Sequence, residues 1–297
     1  MSKVEGPESY ETLNFRPQTL DFRPGKIMST EYFQFKQFRI EQDRTAMKVG
    51  TDGVLLGAWA TSKQPPSVPP NSPLQLPQGG REWKPIIPPW GDRGGLFSIL
   101  DIGTGTGLLS LIAAQELPHA VVTAIDIDAD AVGQARQNVS QSPWADRIQV
   151  LQTPLQQFTP TGKFDLILCN PPYFIKSQKS PDRQRSLARH ADTLPMPALM
   201  KHSASMLTPQ GSLAIIVPSD IVAEAERWAA IYGLFLTHRL DIKTVPSKPS
   251  RRSIVTFSPS HPESIATSTQ CIHNPDGTYT PWYTSLTERL YLSFAHS

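Results

Sequence analysis

The feature that most constrains the fold is a glycine-rich loop, Asp101-Ile102-Gly103-Thr104-Gly105-Thr106-Gly107, between an apolar run and a helix-forming segment. Residues 98–102 predict a buried strand, and residues 108–116 predict a helix. Glycine adopts positive φ and lets a ligand approach the backbone, while the helix N-terminus presents free N–H groups. Strand, loop and helix in this order predict one unit of a parallel sheet, with a ligand site at its carboxyl edge.

The rest of the chain alternates apolar runs with helical segments, the pattern of a parallel sheet covered by helices. Further strands are predicted over residues 121–126, 148–151, 164–169 and 212–217, an antiparallel closing pair over residues 234–242 and 253–258, helices over residues 51–60, 129–141, 197–207 and 220–232, and a terminal helix or strand over residues 283–292. We therefore predict an α/β fold. It is a Rossmann-like sheet of seven strands, mostly parallel with an antiparallel closing hairpin, and helices cover both faces.

Two segments fall outside this alternation. Residues 1–30 are polar and contain three prolines, which predicts a flexible N-terminal extension. Residues 61–96 contain nine prolines, and because proline removes backbone donors they predict a mobile insertion. Between the two, residues 31–40 alternate polar and aromatic side chains and predict a strand or hairpin arm. We predict a single domain over residues 31–297, interrupted by the insertion.

Composition narrows the classes of function. The formal net charge is only +2, with a pI near 8.5, so an RNA-binding surface would have to be a local patch. The two cysteines, Cys169 and Cys271, have no metal-ligand spacing and form no disulfide framework, so no metal is predicted. The N-terminus lacks the apolar core of a signal peptide, and no apolar run reaches the roughly 18 residues of a membrane span. We expect a cytoplasmic protein, with a monomer favoured.

An acid at the end of the second strand indicates what the loop holds. Asp126 follows Gly107 by 19 residues, where a carboxylate can accept hydrogen bonds from both hydroxyls of a ribose. Asp128 competes for this role but is better placed as the cap of the following helix. Nicotinamide enzymes use a similar loop. Asp101, however, precedes this loop and can contact an ammonium group directly or through water, which favours S-adenosylmethionine over NAD.

The tetrapeptide Asn170-Pro171-Pro172-Tyr173 follows another predicted strand and indicates the chemistry. The Asn170 Oδ1 and the Pro171 carbonyl can accept hydrogen bonds from the two protons of an NH2 group. These bonds would expose the nitrogen lone pair for an in-line displacement, and the prolines stiffen the acceptors. Tyr173 can stack on the plane that carries the amine. Downstream of the glycine loop and Asp126, the motif predicts methylation of a planar amine rather than a simple turn. A base in a folded nucleic acid would have to be flipped out or already unpaired.

Together these features resemble the class I S-adenosylmethionine-dependent methyltransferases of the Asn-Pro-Pro-Tyr subgroup. A closer resemblance is to the valine-tRNA adenine-N6 methyltransferase family. It rests on Phe35-Lys36-Gln37-Phe38 and on the run Gln42-Asp43-Arg44-Thr45-Ala46-Met47-Lys48-Val49-Gly50-Thr51-Asp52-Gly53-Val54-Leu55-Leu56-Gly57-Ala58-Trp59, with further matches at residues 100–109, 142–148, 170–174 and 247–252. It covers residues 31–60 and 97–292, and the early block is its specific part.

The resemblance implies N6-methylation of adenine 37, beside the anticodon, in a valine tRNA. The implied cofactor-binding residues are Lys48, Thr51, Asp101, Gly103, Thr104, Gly105, Gly107 and Asp126. Asn170 to Tyr173 would hold the target amine. One departure concerns the cofactor's adenine, because the family usually has an acid after the third strand and this chain has Pro154, which cannot substitute for it.

Two basic patches are candidates for phosphate contacts. The first patch follows the Asn-Pro-Pro-Tyr motif and comprises Lys176, Lys179, Arg183, Arg185 and Arg189; the second is centred on Lys248, Arg251 and Arg252. The residues alone leave other acceptors open, namely a ribosomal RNA guanine, a DNA adenine or a protein glutamine. A non-catalytic RNA-binding protein that keeps the fold is the alternative from another class.

Overall fold

The computed structural model describes residues 31–45, 48–63, 96–171 and 194–292, in which helices and strands follow the predicted alternation. The strands are β1 (Tyr32–Gln34), β2 (Arg39–Glu41), β3 (Phe97–Ile102), β4 (Ala120–Asp126), β5 (Ile148–Gln152), β6 (Phe164–Cys169), β7 (Leu207–Pro218), β8 (Phe235–Lys243), β9 (Arg252–Ser258) and β10 (Ala266–Cys271). The helices are α1 (Thr51–Ser62), α2 (Leu108–Glu116), α3 (Ala129–Ser140), α4 (Met196–Met206), α5 (Val222–Ile231) and α6 (Pro281–Thr287), with short 3-10 turns at Leu155–Gln157 and Ser219–Ile221.

One large sheet forms the centre of the molecule. Its strand order is β10-β8-β9-β7-β6-β3-β4-β5, and β1 pairs with β2 in a separate hairpin. β9 runs antiparallel to β7 and β8, whereas the other neighbours in the sheet are parallel. The predicted α/β class and the antiparallel closing pair are therefore confirmed.

The sheet has eight strands instead of the predicted seven, because β10 adds to the edge beside β8. Four of its six residues are exposed, and their side chains are mostly small and polar. No apolar alternation in the sequence distinguishes such a strand from a loop. Its pairing in register with β8, from Ala266 opposite His238 onward, makes it a strand.

Both faces of the sheet are buried, as strand β6 illustrates. Leu166 and Leu168 belong to the cluster that packs under α1, α2 and α3. Ile167 and Cys169 point the other way, into the cluster under α4 and α5. Because both faces are buried, the strand reads as a continuous apolar run from Leu166 to Cys169 and not as an alternation. Each fully buried leucine or isoleucine contributes roughly 1.5–3 kcal/mol to folding.

The end of α1 differs from the prediction. The helix predicted over residues 51–60 has Gly50 as its N-cap and Thr51 as its first helical residue. At the other end the helix continues to Ser62, so Thr61 and Ser62 are helical and do not belong to the insertion. Both hydroxyls bond to carbonyls one turn back, which supports the last turn. Residues 64–95 of the predicted insertion, like the extension at 1–30, lie outside the described residues.

Other helix ends follow their sequence signals. Asp128 caps α3 as predicted, because its Oδ1 accepts a hydrogen bond from the Ala131 N–H at 2.8 Å. The terminal segment is a helix, α6, whose N-cap Thr280 accepts from the Tyr283 N–H at 3.2 Å. Arg147 donates to three carbonyls where α2 ends, at 2.6–3.2 Å. The block at residues 142–148 therefore has a structural role in holding that end of α2.

The N-terminal hairpin is tied to the glycine loop through α3. The Asn138 side chain accepts from the Glu41 N–H at 2.8 Å and donates to the Glu41 carbonyl at 2.9 Å and the Thr106 carbonyl at 2.8 Å. Phe38 meets Phe35 in a stacked pair, with ring centroids 4.5 Å apart. The hairpin is thus part of the domain, and one buried amide connects it to the loop.

Candidate active site

The glycine loop, Asp126 and Asn170 meet where the order of strands reverses. From β3 the chain moves outward through β4 and β5, then returns to place β6 on the other side of β3. Ile102 at the end of β3 lies opposite Cys169 at the end of β6, so Gly103 and Asn170 leave adjacent strands at the same edge. Ile125 pairs with Ile102 on the other side, which brings Asp126 to that edge. Open α/β sheets form their ligand crevice at such a switch point.

The glycine loop needs glycine at three positions. Gly103, Gly105 and Gly107 have φ values of 70°, 57° and 85°, a region that other residues rarely adopt. A Cβ at Gly103 or Gly105 would meet no atom of the described residues within 4 Å, whereas one at Gly107 would lie 3.5 Å from Ala135 Cβ. The first two glycines therefore border open space, and the third lets the loop pack on α3.

Asp101 is fully buried before the loop. Its Oδ2 accepts hydrogen bonds from the Thr104 hydroxyl at 2.6 Å, the Ser110 hydroxyl at 2.7 Å and the Ser110 N–H at 3.1 Å. Its Oδ1 is buried and accepts no hydrogen bond from any residue that the structure describes. Burial raises the pKa of Asp101 from 3.8 to about 6, against the lowering effect of the Ser110 and Thr104 bonds. An unsatisfied carboxylate oxygen in such a place is suited to a cationic donor.

Asp126 contacts the glycine loop directly. Its Oδ2 accepts from the Gly105 N–H at 2.8 Å and its Oδ1 from the Asp128 N–H at 3.0 Å. Burial raises the pKa of Asp126, while these backbone bonds act in the opposite sense. Since the Asp128 carboxylate caps α3, Asp126 is the acid of this pair that lies against the loop.

Asn170 lies beside the first turn of α1. A Cβ on Gly53 would come within 3.8 Å of the Asn170 amide nitrogen and 2.9 Å of Leu108 Cδ2. Glycine at position 53 therefore lets α1 approach both the amide and the first turn of α2. Pro171 is buried, and Pro172 and Tyr173 lie outside the described residues. Burial also raises the pKa of the neighbouring Cys169 thiol well above 9.0, which keeps it protonated and unreactive.

The run at residues 42–59 that carries the family resemblance leads into this side of the site. Thr51 begins α1, two residues before Gly53. Lys48 is exposed, and its ammonium donates to the Gln42 carbonyl. The Gln42 side chain accepts from the Val49 N–H at 2.8 Å. Gln42 therefore holds the segment that leads into α1 through both Lys48 and Val49.

The first basic patch lies outside the described residues, whereas the second is described. Lys248 and Arg251 are exposed in the loop between β8 and β9. Since β8 is parallel to β6 through its neighbours, this loop lies at the same sheet edge as Asn170. Arg252 is engaged differently, because its Nε donates to Asp52 Oδ2 at 2.7 Å. It joins β9 to α1, so the structure does not group it with the two exposed cations.

Two residues of the site were not predicted from the sequence. Ser110 supplies two of the three hydrogen bonds to Asp101 Oδ2, and only its position in the first turn of α2 would have indicated it. Ile127 is 57% exposed directly after Asp126. A large apolar side chain at a strand end, next to an acid, is the signal that would have found it.

Some kinds of site are absent from the part of the chain that the structure describes. There, no group of three or more His, Cys, Asp or Glu side chains is arranged to hold a metal ion. Nor does any helix in those residues have the length and apolar character needed to cross a membrane.

Comparison with known proteins identifies the family. The family model described as "Methyltransferase small domain" matches residues 96–231. A tRNA1(Val) (adenine(37)-N6)-methyltransferase of Bacteroides thetaiotaomicron is 41% identical over 231 residues, which cover 77% of this chain and 84% of that protein. The chain belongs to the tRNA1(Val) (adenine(37)-N6)-methyltransferase family.

Further members of this family match over more of the chain. The enzyme of the same name from Porphyromonas gingivalis strain W83 is 39% identical over 272 residues, covering 89% of this chain and 96% of that protein. Among solved structures, a predicted O-methyltransferase of Agrobacterium tumefaciens has a TM-score of 0.51 at 17% identity. It covers 80% of this chain and 96% of that one and supports the fold alone. The predicted family and the methyltransferase fold are confirmed.

Proposed function

We propose that the protein transfers a methyl group from S-adenosylmethionine to the N6 amine of adenine 37 in the anticodon loop of a valine tRNA. The observation that carries this proposal is the adjacency of Asn170 to the glycine loop, on neighbouring strands at the switch point of the sheet. That adjacency brings an amine-binding group beside a cofactor loop. Membership of the family supplies the RNA and the base.

The residues present fit S-adenosylmethionine. The unpartnered Asp101 Oδ1 would take the ammonium group of the methionine end, directly or through water. The open space at Gly103 and Gly105 would admit the cofactor against the backbone, and Asp126 would accept the ribose hydroxyls. Lys48 and Thr51 would cover the methionine end, and Thr104 holds Asp101 in place.

The adenine end of the cofactor has no acid after β5. The Pro154 carbonyl already accepts from the Gln157 N–H at 3.0 Å within a 3-10 turn. Ile127 offers an apolar surface next to Asp126, and burying it against a flat base would remove its side chain from water. We propose that apolar contact with Ile127 contributes part of the adenine-binding free energy that an acid usually contributes in this family.

On the acceptor side, the protein would contribute by aligning the target amine with the methyl group of the cofactor. S-adenosylmethionine, when bound, supplies a methyl group already activated by the positive charge on sulfur. Asn170 Oδ1 and the Pro171 carbonyl would accept the two amine protons, which draws the nitrogen away from planarity and exposes its lone pair. Pro172 would stiffen the loop, and Tyr173 would stack on the adenine once it leaves the anticodon loop stack. The adenine amine loses its extra proton to water after transfer, so no side-chain base is required.

Basic residues from two parts of the chain would hold the RNA. Lys176, Lys179, Arg183, Arg185 and Arg189 follow the motif in sequence and would contact phosphates next to the target base. Lys248 and Arg251 would contact phosphates farther along the RNA. Arg252 would contribute indirectly, because its ion pair with Asp52 joins β9 to α1.

The test is to incubate the protein with methyl-labelled S-adenosylmethionine and total RNA, and to map the labelled nucleoside. We expect N6-methyladenosine at position 37 of a valine tRNA. A transcript of that tRNA with guanosine at position 37 is the matched control and should remain unlabelled. Label in ribosomal RNA, in DNA or only in protein would contradict the proposal.

A further inference from the structure

A stack of aromatic rings ends near the second basic patch. The His273 and Tyr279 rings stack with centroids 4.8 Å apart and planes 27° apart, and Tyr279 stacks on Tyr283 at 5.0 Å and 17°. Tyr283 is buried, whereas His273 and Tyr279 are half-buried. We call the first two rings the His273–Tyr279 stack. Because the buried Tyr283 supports the pair, both rings are already held in one orientation. Binding a ligand on them would therefore cost little further side-chain entropy.

Backbone hydrogen bonds fix this stack beside the loop between β8 and β9. After β10 the Ile272 N–H donates to the Lys243 carbonyl and the His273 N–H to the Thr244 carbonyl, both at 2.9 Å. The chain then turns, and His273 bridges back to Tyr279 as an antiparallel pair. The rings therefore lie next to the loop that carries Lys248 and Arg251.

The stack is on the edge of the sheet where Asn170 lies. β8 and β10 are three and four strands away from β6 and run parallel to it. At about 4.8 Å per strand this places the stack roughly 14–19 Å from Asn170. A stacked nucleic-acid strand rises roughly 3.4 Å per nucleotide, so the separation corresponds to about four to six nucleotides.

The charge around the stack suits an anionic partner. Lys248 and Arg251 are exposed and have no carboxylate within 4 Å in the described part of the chain. The acids closest in sequence are already engaged. Asp276 accepts from the Thr278 hydroxyl at 2.7 Å and N–H at 3.0 Å, and Asp241 pairs with Arg239 at 3.1 Å.

We propose that His273, supported by Tyr279, stacks on an unpaired base of the RNA substrate several nucleotides away from the target adenine, while Lys248 and Arg251 hold the adjacent phosphates. This inference rests on the proposed tRNA methyltransferase function and adds a second point of attachment. Stacking on an aromatic ring contributes about 1–3 kcal/mol per base and tolerates any base, so this contact adds affinity and register without reading sequence. Two separated contacts would also orient the loop on the enzyme.

Binding of the tRNA to single variants tests the ring. We expect His273→Ala and His273→Leu to raise the Kd for the unmodified tRNA about 5- to 150-fold, whereas His273→Phe, which keeps a ring, stays near wild type. The matched control is His261→Ala, because His261 also packs on an aromatic ring, Phe235 at 4.7 Å, but lies in the β9–β10 loop at the opposite edge. Thermal unfolding and the Kd for S-adenosylmethionine should be unchanged in all four variants.

Abasic substitutions in the tRNA give a second, independent readout. Removing one unpaired base near the anticodon should weaken binding to the wild type and have no further effect on His273→Ala, since the two partners of one contact are coupled. Equal Kd values for His273→Ala and His261→Ala, or a His273→Phe variant as weak as His273→Ala, would overturn the inference. If the wild type methylates the tRNA in those cases, the proposed function stands. If the wild type neither binds nor methylates any tRNA, the proposed function itself fails.

Discussion

At the scale of single residues, Asp101 shows how an acid can be kept ready for a cation. One carboxylate oxygen accepts three hydrogen bonds from Thr104 and Ser110, and the other is buried with no hydrogen-bond partner among the described residues. The raised pKa means that the folded protein binds this proton more tightly than the unfolded chain. The contribution of Asp101 to the free energy of unfolding is therefore largest below about pH 4, falls as the pH rises toward about 6, and is constant above that.

The same pKa predicts how cofactor affinity depends on pH. Below about pH 6 a cationic ammonium group must displace the Asp101 proton, so the Kd for S-adenosylmethionine should rise by up to about tenfold per pH unit as the pH falls. Titration calorimetry between about pH 5 and 7 measures this change. Asp101→Asn should bind weakly and with a flatter pH profile, in which the raised pKa of Asp126 accounts for the remainder. A pH-independent wild-type Kd would contradict the assigned role.

Asn170 carries the prediction about chemistry. Asn170→Ala should lower the methyl-transfer rate by about 100-fold or more, since a preorganised hydrogen bond to the reacting group is lost. Its Kd for S-adenosylmethionine should stay within about twofold of wild type. Asn170→Asp, which keeps an acceptor oxygen, should retain more activity than Asn170→Ala. Single-turnover assays measure the rates, and unchanged turnover in Asn170→Ala would refute the mechanism.

At the scale of elements, α1 and α2 approach each other because two glycines lie on the face of α1 that meets α2. A Cβ on Gly57 would lie 3.0–3.2 Å from three atoms of Ile112, including its Cβ, which no rotamer change can move. Ile112 is fully buried, so the neighbouring helix would have to shift. The close approach also places the first turn of α1 against Asn170, which links the packing of these helices to the site.

Substituting alanine for two helical glycines, Gly57 and Gly133, distinguishes the effect of packing on stability from the effect of helix propensity. Gly57→Ala should lower the free energy of unfolding by about 1–3 kcal/mol through overpacking, less the roughly 1 kcal/mol gained in propensity. Gly133→Ala in α3 is the matched control, because a Cβ there would lie more than 4 Å from every atom in the part of the chain that the structure describes. This variant should gain about 0.5–1 kcal/mol. Denaturant unfolding measures both, and a Gly57→Ala variant as stable as Gly133→Ala would contradict the packing argument.

At the scale of the whole molecule, the question is what the proline-rich insertion contributes. α1 ends at Ser62 and packs on α2, and β3 begins at Phe97 and pairs with β4 and β6. Replacing residues 64–95 with a short Gly/Ser linker should leave the thermal midpoint within about 4 °C, which corresponds to less than about 2 kcal/mol in a domain of this size. Methyl transfer should persist. A large drop in the midpoint would show that the insertion packs on the domain.

Local requirements made much of this protein readable from its sequence. Positive φ at Gly103, Gly105 and Gly107 demands glycine whatever the rest of the chain does, and burial on both faces makes β6 a continuous apolar run. Asp128 was identified as a cap because the cap lies three residues from its donor. Acids and amides at strand ends were placed together because parallel strands end at one edge. Sequence therefore determined the fold class, the glycine loop with Asp126, and the position of Asn170.

Only the tertiary structure decided which side chains meet across long stretches of chain. Arg252 forms an ion pair with Asp52, which lies 200 residues earlier in the chain, and is therefore not grouped with the exposed cations. The His273–Tyr279 stack lies beside Lys248 only because β10 pairs with β8. No periodicity in the sequence encodes such contacts, since they depend on strand order and on the packing of distant elements. The Asp101 Oδ1 belongs to this class as well, because burial, and not the identity of the residue, leaves it without a donor among the described residues.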